Sequence, residues 1–480
     1  MAREEGARTG LTDDPRWWLR ATLAALVAFA VLRLPLLTHY PPWTDEVWSL
    51  DVTPATWARL LRWYADDQTH PPLYYAMLWA WARIGGTSLA FMRLLPALIG
   101  IATAIPVVDI CRSLSLSRRA TAVAITMTAF APTLIAYSLE LRSYPLLSLL
   151  SALSLALWLR ARRADAPART IWWLTLVNGA LLWTHFFGAL TIAAEGADAL
   201  LAARHRLKAM IVSGLASLLL LAPWIAYVVH RAGITGHNLE VVNWIARPAI
   251  GDLYDPFRAW LGVTPWVAAD LVACIASLTI VAVWAYRARG PAVPVVLAFV
   301  VPVVIAFLYS LYSARSAWID RYLIEAAVPF LVALAAATTA LAPTRAVLAW
   351  LPAVWVAATS WQWRAADQDK VHFERIVAAI DAAPATGDTV FAESGTEGGP
   401  LRWSGHQRGS RLVVRVVPSL AALEADHGWL LWSEQHPPRG LPPLAALRRR
   451  GYTLGTPVWE KGMNGDSVVA APFTKRGVAR

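Results

Sequence analysis

Apolar residues run through this chain in long unbroken blocks. They follow neither the alternation of a half-buried strand nor the one-sided stripe of a soluble helix. Beginning at Trp17–Leu37, blocks of about 17–24 residues recur at 89–111, 119–138, 144–160, 170–186, 187–203, 208–229, 264–286, 291–312, 322–342 and 346–363. A helix rises 1.5 Å per residue and needs about 20 residues to cross roughly 30 Å of hydrocarbon, so each block predicts a membrane span. That makes eleven. Ala28-Phe29-Ala30 has the A-x-A form of a leader cleavage site, but the apolar run continues past it. The first block therefore reads as an uncleaved span.

The segment Pro72–Ile84 is apolar but only about 20 Å long as a helix, too short for a comfortable crossing. Counting it as a span would put the basic loop Arg112–Arg119 outside. Laid along the surface, it leaves the loops carrying Arg112/Arg118/Arg119, Arg160/Arg162/Arg163, Arg204/Arg206/Lys208, Arg287/Arg289 and Arg345 all inside. Positive charge marks the cytoplasmic side, which selects eleven spans, an inner N-terminus, an outer C-terminus and an interfacial helix at 72–84. After Trp363 the pattern turns polar. Phe373–Ala383 predicts a helix, and Thr389–Ala392, Leu412–Val417 and Val468–Ala471 predict strands. Trp429–Trp432 is another apolar run, and Ser394–Pro400 and Pro437–Pro443 are rich in turn formers. The expected architecture is an all-α polytopic module over 1–363, with a first outer loop at 38–89, and a small extracytoplasmic α/β domain over 364–480. No internal repeat stands out.

Composition agrees. Hydrophobic residues make up 57%, charged residues 16%, and mean hydropathy is positive, against about 25% charge in a globular protein. Disorder and ordinary cytosolic enzymes are excluded. The 26 Trp suit bilayer interfaces, where an indole is apolar at one end and hydrogen-bonding at the other. A net charge of +11 would point to nucleic acid in a soluble chain; here it belongs to short loops, and no nucleic-acid partner is expected. Cys111 and Cys274 lie in or beside apolar blocks and imply no disulfide framework. There is no phosphate loop, and none of the four Asn begins a glycosylation sequon.

With this topology the polar residues suited to chemistry gather on the outer face. Thr44-Asp45-Glu46 follows the first span, then come Asp66, Asp67 and His70-Pro71-Pro72. Glu140-Leu141-Arg142-Ser143-Tyr144 is squeezed between two spans, and Arg315, Asp320, Arg321 and Tyr322 stand at the mouth of another. Each has an ordinary reading. Asp45-Glu46 would start a surface helix, Glu140/Arg142 would pair at the interface, Arg321 would anchor a span, and His70 would be a turn residue. Within the spans Glu195, Asp198 and Glu325 demand partners or a cavity; helix pairing is the favoured role for Glu195 and Asp198. His185 ends a span and fits either reading. Taken together, a carboxylate with several cations at one depth suits transfer chemistry on an anionic lipid. The carboxylate would take a proton from an acceptor hydroxyl, and arginines would hold a phosphate as it departs.

The order of these motifs resembles a known family. Asp-Glu in the first outer loop precedes His-Pro-Pro-Leu-Tyr-Tyr and Met92-Arg93-Leu94-Leu95-Pro96-Ala97. Glu-Leu-Arg-Ser-Tyr at 140–144 and Arg321-Tyr322-Leu323-Ile324 come later. The chain is similar, over roughly 15–345, to the GT-C membrane glycosyltransferases of the protein-mannosyltransferase and aminoarabinose-transferase-like group (family 39-like). The resemblance implies a polyprenyl-phosphate-linked sugar donor, inverting transfer on the extracytoplasmic side, and a glycan, lipid or protein acceptor. It assigns Asp45 as general base with Glu46 beside it. It places His70, Glu140, Arg142, Tyr144, Arg321 and Tyr322 in donor phosphate or sugar recognition and leaves the role of Arg93 open. Related chains often carry an acidic residue before the His-Pro-Pro; Thr69 stands there instead. In the outer domain Trp403 and His406, with Trp429 and Trp432, would offer aromatic faces to an acceptor, although such residues are often core. No cofactor is expected: the cations make a divalent metal unnecessary, and adjacent carboxylates alone do not define its site. A bacterial plasma membrane is the expected location. The competing readings are a lipid or sugar transporter or flippase, whose substrate charges belong near the midplane, and a catalytically silent scaffold.

Overall fold

A computed structural model describes residues 14–39, 41–53, 55–67, 70–235, 245–262, 264, 266–341, 371–392, 395–417, 419–420, 423–434, 442–461 and 467–476. The expected span at 346–363 and the boundary at 363/364 lie outside the described residues. The chain forms two compact units. One comprises Met1–Leu37 and Val52–Gln362, the other Thr38–Asp51 and Trp363–Arg480.

Each of the other expected spans coincides with helix. Seven helices are long and apolar enough to cross a membrane: Pro15–Leu36, Leu89–Ser113, Tyr144–Ala161, Arg204–Ile234, Val267–Ala288, Val293–Tyr312 and Asp320–Leu341. A bent pair of helices makes an eighth if it is counted as one span. Arg118–Phe130 and Pro132–Ser138 meet at a 50° bend. Ala131 precedes a proline and is driven to an extended backbone, ψ 119°, because the proline ring excludes helical geometry there. The blocks at 170–186 and 187–203 form shorter helices, Ala168–Thr184 and Gly188–Leu201. The described residues thus hold seven or eight full-length crossings. This is a multi-pass membrane protein.

Burial follows position in the bundle. Asp320–Leu341 is buried almost throughout, whereas Pro15–Leu36 is mostly exposed. On that first helix Leu19, Leu23, Val27 and Val31 all face outward; their spacing of four makes one apolar stripe suited to lipid. Polar clamps join the inner helices. Glu195 accepts from Ser154 Oγ and from Asn178 Nδ2 at 2.9 Å. Asp198 accepts from Trp158 Nε1 at 2.9 Å and pairs with Arg162. These carboxylates hold helices together, the role expected from their spacing. The segment at 72–84 is helical as expected, over Leu73–Gly85, with Trp81 stacked on Phe91 at 4.8 Å.

The second unit contains a mixed six-stranded sheet. β1 (Thr389–Ala392) is parallel to β2 (Val413–Val416) and to β3 (His427–Glu434). β6 (Ser467–Lys475) runs antiparallel to β3, β4 (Tyr452–Leu454) and β5 (Val458–Lys461). Side chains alternate across the sheet as a strand requires. Trp429 and Leu431 enter one core with Phe373, Ile376 and Ile380; Leu430 and Trp432 enter the other with Tyr452 and Phe473. The turn formers after Ser394 differ from expectation: Gly395–Arg408 is a helix with Pro400 inside it. Packing outweighs propensity here. Leu401 is fully buried, and at Gly398 a Cβ would stand only 3.1 Å from Val414, so glycine lets the helix lie close on the sheet.

Candidate functional site

In the first unit the helix Pro132–Ser138 ends where Tyr144–Ala161 begins, and the five residues between them are buried rather than looped into solvent. The Arg142 N–H bonds the Glu140 carbonyl at 2.8 Å, a tight turn that keeps both side chains in the interior. Arg142 is 5% exposed, and its Nη2 lies 2.8 Å from His70 Nε2. A guanidinium only donates, so Nε2 accepts and the His70 proton sits on Nδ1. His70 is thus placed to orient the Arg142 guanidinium. His70 in turn lies against Tyr75, whose ring stacks on Tyr64 at 4.1 Å.

Aromatic rings from distant stretches surround this pair. Tyr144 is 5.0 Å from Tyr137, 6.1 Å from His185 and 6.4 Å from Tyr322 between ring centroids. His185 is 5.2 Å from Tyr322, and Phe187 packs on both. The Arg142 and Arg321 guanidinium carbons each lie 5.9 Å from a tyrosine centroid, Tyr144 and Tyr322 respectively, within cation–π range. Tyr137 is in electrostatic range of Glu140, Tyr144, Asp320 and Arg321, and His185 is in range of His70 and Arg142. Thus His70, Glu140, Arg142, Tyr144, Arg321 and Tyr322 do come together. Asp320 accompanies them, so two carboxylates balance the two guanidiniums.

His185 belongs to the same cluster. Its Nδ1 accepts from the Phe187 N–H at 3.2 Å, which leaves the ring proton on Nε2 and the imidazole neutral. The sequence signal was its place in Thr184-His185-Phe186-Phe187-Gly188, the break between two apolar blocks. Asp66 stands apart, in a bidentate pair with Arg231 at 2.9 and 2.7 Å that ties Trp57–Asp67 to Leu207–Thr235. Arg93 is buried and donates to the Leu37 carbonyl at 3.1 Å. Glu325 is buried with Glu195 beside a separate small cavity.

Asp45 and Glu46 lie in the second unit, in the first turn of the helix Thr44–Val52, where acidic residues suit the positive helix end. Glu46 is fully buried, and its Oε2 accepts from the Trp43 N–H at 3.4 Å, the return half of a capping box. Glu46 thus has a structural function at the helix start. Asp45 is half-buried, and its carbonyl accepts from Ser49 Oγ at 3.0 Å. In the same unit Trp403 is half-buried and His406 exposed, while Trp429 and Trp432 are core. Among the described residues no group of three or more His, Cys, Asp or Glu side chains is placed to hold a metal ion.

No protein-family model matches the chain, and no curated protein matches it. Solved structures do. A crystal structure of ArnT from Cupriavidus metallidurans in the apo state superposes with a TM-score of 0.58 at 15% identity, over 95% of this chain and 97% of that one. The fold is shared with ArnT. A second structure of the same protein, bound to undecaprenyl phosphate, gives 0.56 at 13% identity over 95% and 98%. The likeness to ArnT runs through nearly the whole of both chains, including the second unit, and it agrees with the GT-C-like architecture expected from the motif order. Identity this low speaks for the fold alone.

Proposed function

We propose that this protein is an inverting glycosyltransferase that moves a sugar from a polyprenyl-phosphate donor to a hydroxyl acceptor on the outer face of the membrane. The observation that carries the reading is the cluster of buried Arg142 and Tyr144 with half-buried His70, Arg321 and Tyr322, built on an ArnT-like fold. Support also comes from ArnT having been crystallised with undecaprenyl phosphate.

In this reading the guanidiniums of Arg142 and Arg321 bind the lipid phosphate, with Arg142 held in place by His70. Glu140 and Asp320 position the guanidiniums before donor arrives, and the tyrosine rings exclude water. The acceptor oxygen attacks the anomeric carbon, the bond from that carbon to the phosphate oxygen breaks, and the arginines meet the departing charge. Asp45 takes the acceptor proton. Glu46, at the start of the same helix, orients the acceptor or the base. Trp403 and His406 are proposed acceptor contacts. Truncation after 363 is a poor test of them, because 38–51 belongs to the same compact unit as the C-terminal residues; Trp403→Ala with acceptors of increasing length is the cleaner one.

The test is incubation of the purified protein in membranes with a panel of sugar-loaded polyprenyl phosphates and hydroxyl acceptors. Acceptor-dependent release of polyprenyl phosphate supports the proposal, and Asp45→Asn is expected to lower that release by about 10²–10⁴-fold while donor still binds. Movement of lipid across the membrane without release would favour a flippase. Loss of activity to a chelator, restored by Mg²⁺ or Mn²⁺, would bring in a metal.

A further inference from the structure

Arg33 closes the first apolar helix and is 0% exposed. A guanidinium held inside a membrane bundle normally has a carboxylate beside it, because removing its charge from water is costly without a counter-charge. Among the described residues Arg33 forms no ion pair. Its Nη1 donates to the carbonyls of Phe29 and Ala129, each at 3.3 Å, beyond the usual N–H···O distance. The Phe29 ring lies 4.6 Å from its Cζ. Two long hydrogen bonds and one aromatic face leave the positive charge only partly offset.

A small void adjoins this guanidinium, lined by Arg33, Gly100, Thr103, Pro145, Ser148 and Ile324 among others. Two polar atoms there, Arg33 Nε and Ser148 Oγ, have no hydrogen-bond partner among the described residues. The remaining polar side chain, Thr103, already donates to the Ile99 carbonyl. At Gly100 a Cβ would stand 2.5 Å from Ser138 Cβ and 3.4 Å from Arg33 Nε, so glycine is what lets this helix lie close to both. The void has about 10 Å³ for the centre of a water-sized occupant, about the minimum for one particle. What is missing is therefore a single small acceptor beside a positive charge. Phosphate, sulfate and organic carboxylates are too large.

We propose that this void binds a chloride-sized monovalent anion, which accepts hydrogen bonds from Arg33 Nε–H and Ser148 Oγ–H and supplies the counter-charge of Arg33. The site lies within the first unit and is distinct from the His70–Arg142 pair, although Pro145 and Ile324 adjoin Tyr144 and Leu323 in sequence. It does not rest on the glycosyltransferase reading.

The test uses the full-length protein in detergent or nanodiscs. Thermal unfolding is followed as chloride replaces gluconate at constant ionic strength, and crystals are grown in bromide. Chloride and bromide are expected to raise the unfolding temperature saturably where gluconate does not. Bromide should give an anomalous peak between Arg33 Nε and Ser148 Oγ. Ser148→Ala should move the chloride midpoint several-fold higher, and Arg33→Met should abolish the response. If Arg33→Met does not fold, the wild-type bromide map and the Ser148→Ala midpoint decide. Superimposable chloride and gluconate curves, or a bromide map with no peak and a water in the void, would overturn the proposal.

Discussion

The helix Tyr144–Ala161 carries arginines near both ends, and the two ends differ. At its start Arg142 is buried, bonded to His70 and close to the ring of Tyr144, which Tyr137, His185 and Tyr322 surround. At its finish Arg160 pairs with Asp109, and with Arg112 and Arg163 it lines an open cavity of about 590 Å³. There the side chains of Arg160 and Arg163 are 50% and 70% exposed. Eighteen residues at 1.5 Å each separate the ends by roughly 27 Å. The open end has the more obvious positive charge, and water and salt screen it. Among the described residues the enclosed end gathers two carboxylates with its two guanidiniums, and its charges act in a low-dielectric setting where one hydrogen bond to an ion counts for more. Desolvation and fixed geometry, more than the number of arginines, mark a site.

The sharpest way to break this comparison is Arg142→Met. Loss of a charged hydrogen bond costs about 1.5–3 kcal/mol, so donor kcat/KM is expected to fall roughly 10–100-fold; unchanged steady-state kinetics would make the two ends equivalent. A finer probe separates acceptor from charge at position 70. His70→Gln keeps an oxygen that can accept from Arg142 and should retain most of the activity. His70→Lys sets donor against donor and should lose about tenfold, the equivalent of one such bond. Equal losses in both variants would argue against the acceptor role. At the open end Arg160→Gln should leave transfer within about twofold and change stability by less than about 1 kcal/mol, as for an exposed ion pair; thermal unfolding and donor kinetics check both. An effect on stability alone, with none on transfer, is expected at Ser115 beside the same cavity. It holds φ 53°, with its N–H on the Arg112 carbonyl and the Leu116 N–H on the Cys111 carbonyl, the helix-ending arrangement that favours glycine. Ser115→Gly should stabilise by about 1 kcal/mol, read as a higher unfolding temperature.

Much of the fold was legible because membrane spans and sheet strands leave simple periods. Unbroken blocks gave the helices at 89–111 and 264–286, and β-branched runs gave the strands around 390, 414 and 469. The helix at 395–408 was not legible, since Gly398 and Pro400 read locally as turn and only the fit of Leu401 and Gly398 to the sheet explains the outcome. The meeting of Tyr144 with Tyr322 was foreseeable from the expected span parity, which puts both on one side. Partner choice was not. That Asp66 pairs with Arg231, and that His70 accepts from Arg142, depends on approaches between segments 165 and 72 residues apart, which no local pattern encodes. The place of Asp320 beside Arg321 was legible in the sequence, but its company with Tyr137 and Glu140 was not, since that depends on the approach of distant segments.

The most direct test of the central claim is the structure of this protein with undecaprenyl phosphate. The lipid phosphate is expected within hydrogen-bond distance of the Arg142 or Arg321 guanidinium, among the rings of Tyr144 and Tyr322. Phosphate density at Arg112, Arg160 and Arg163 instead, with the enclosed cluster unchanged, would contradict it.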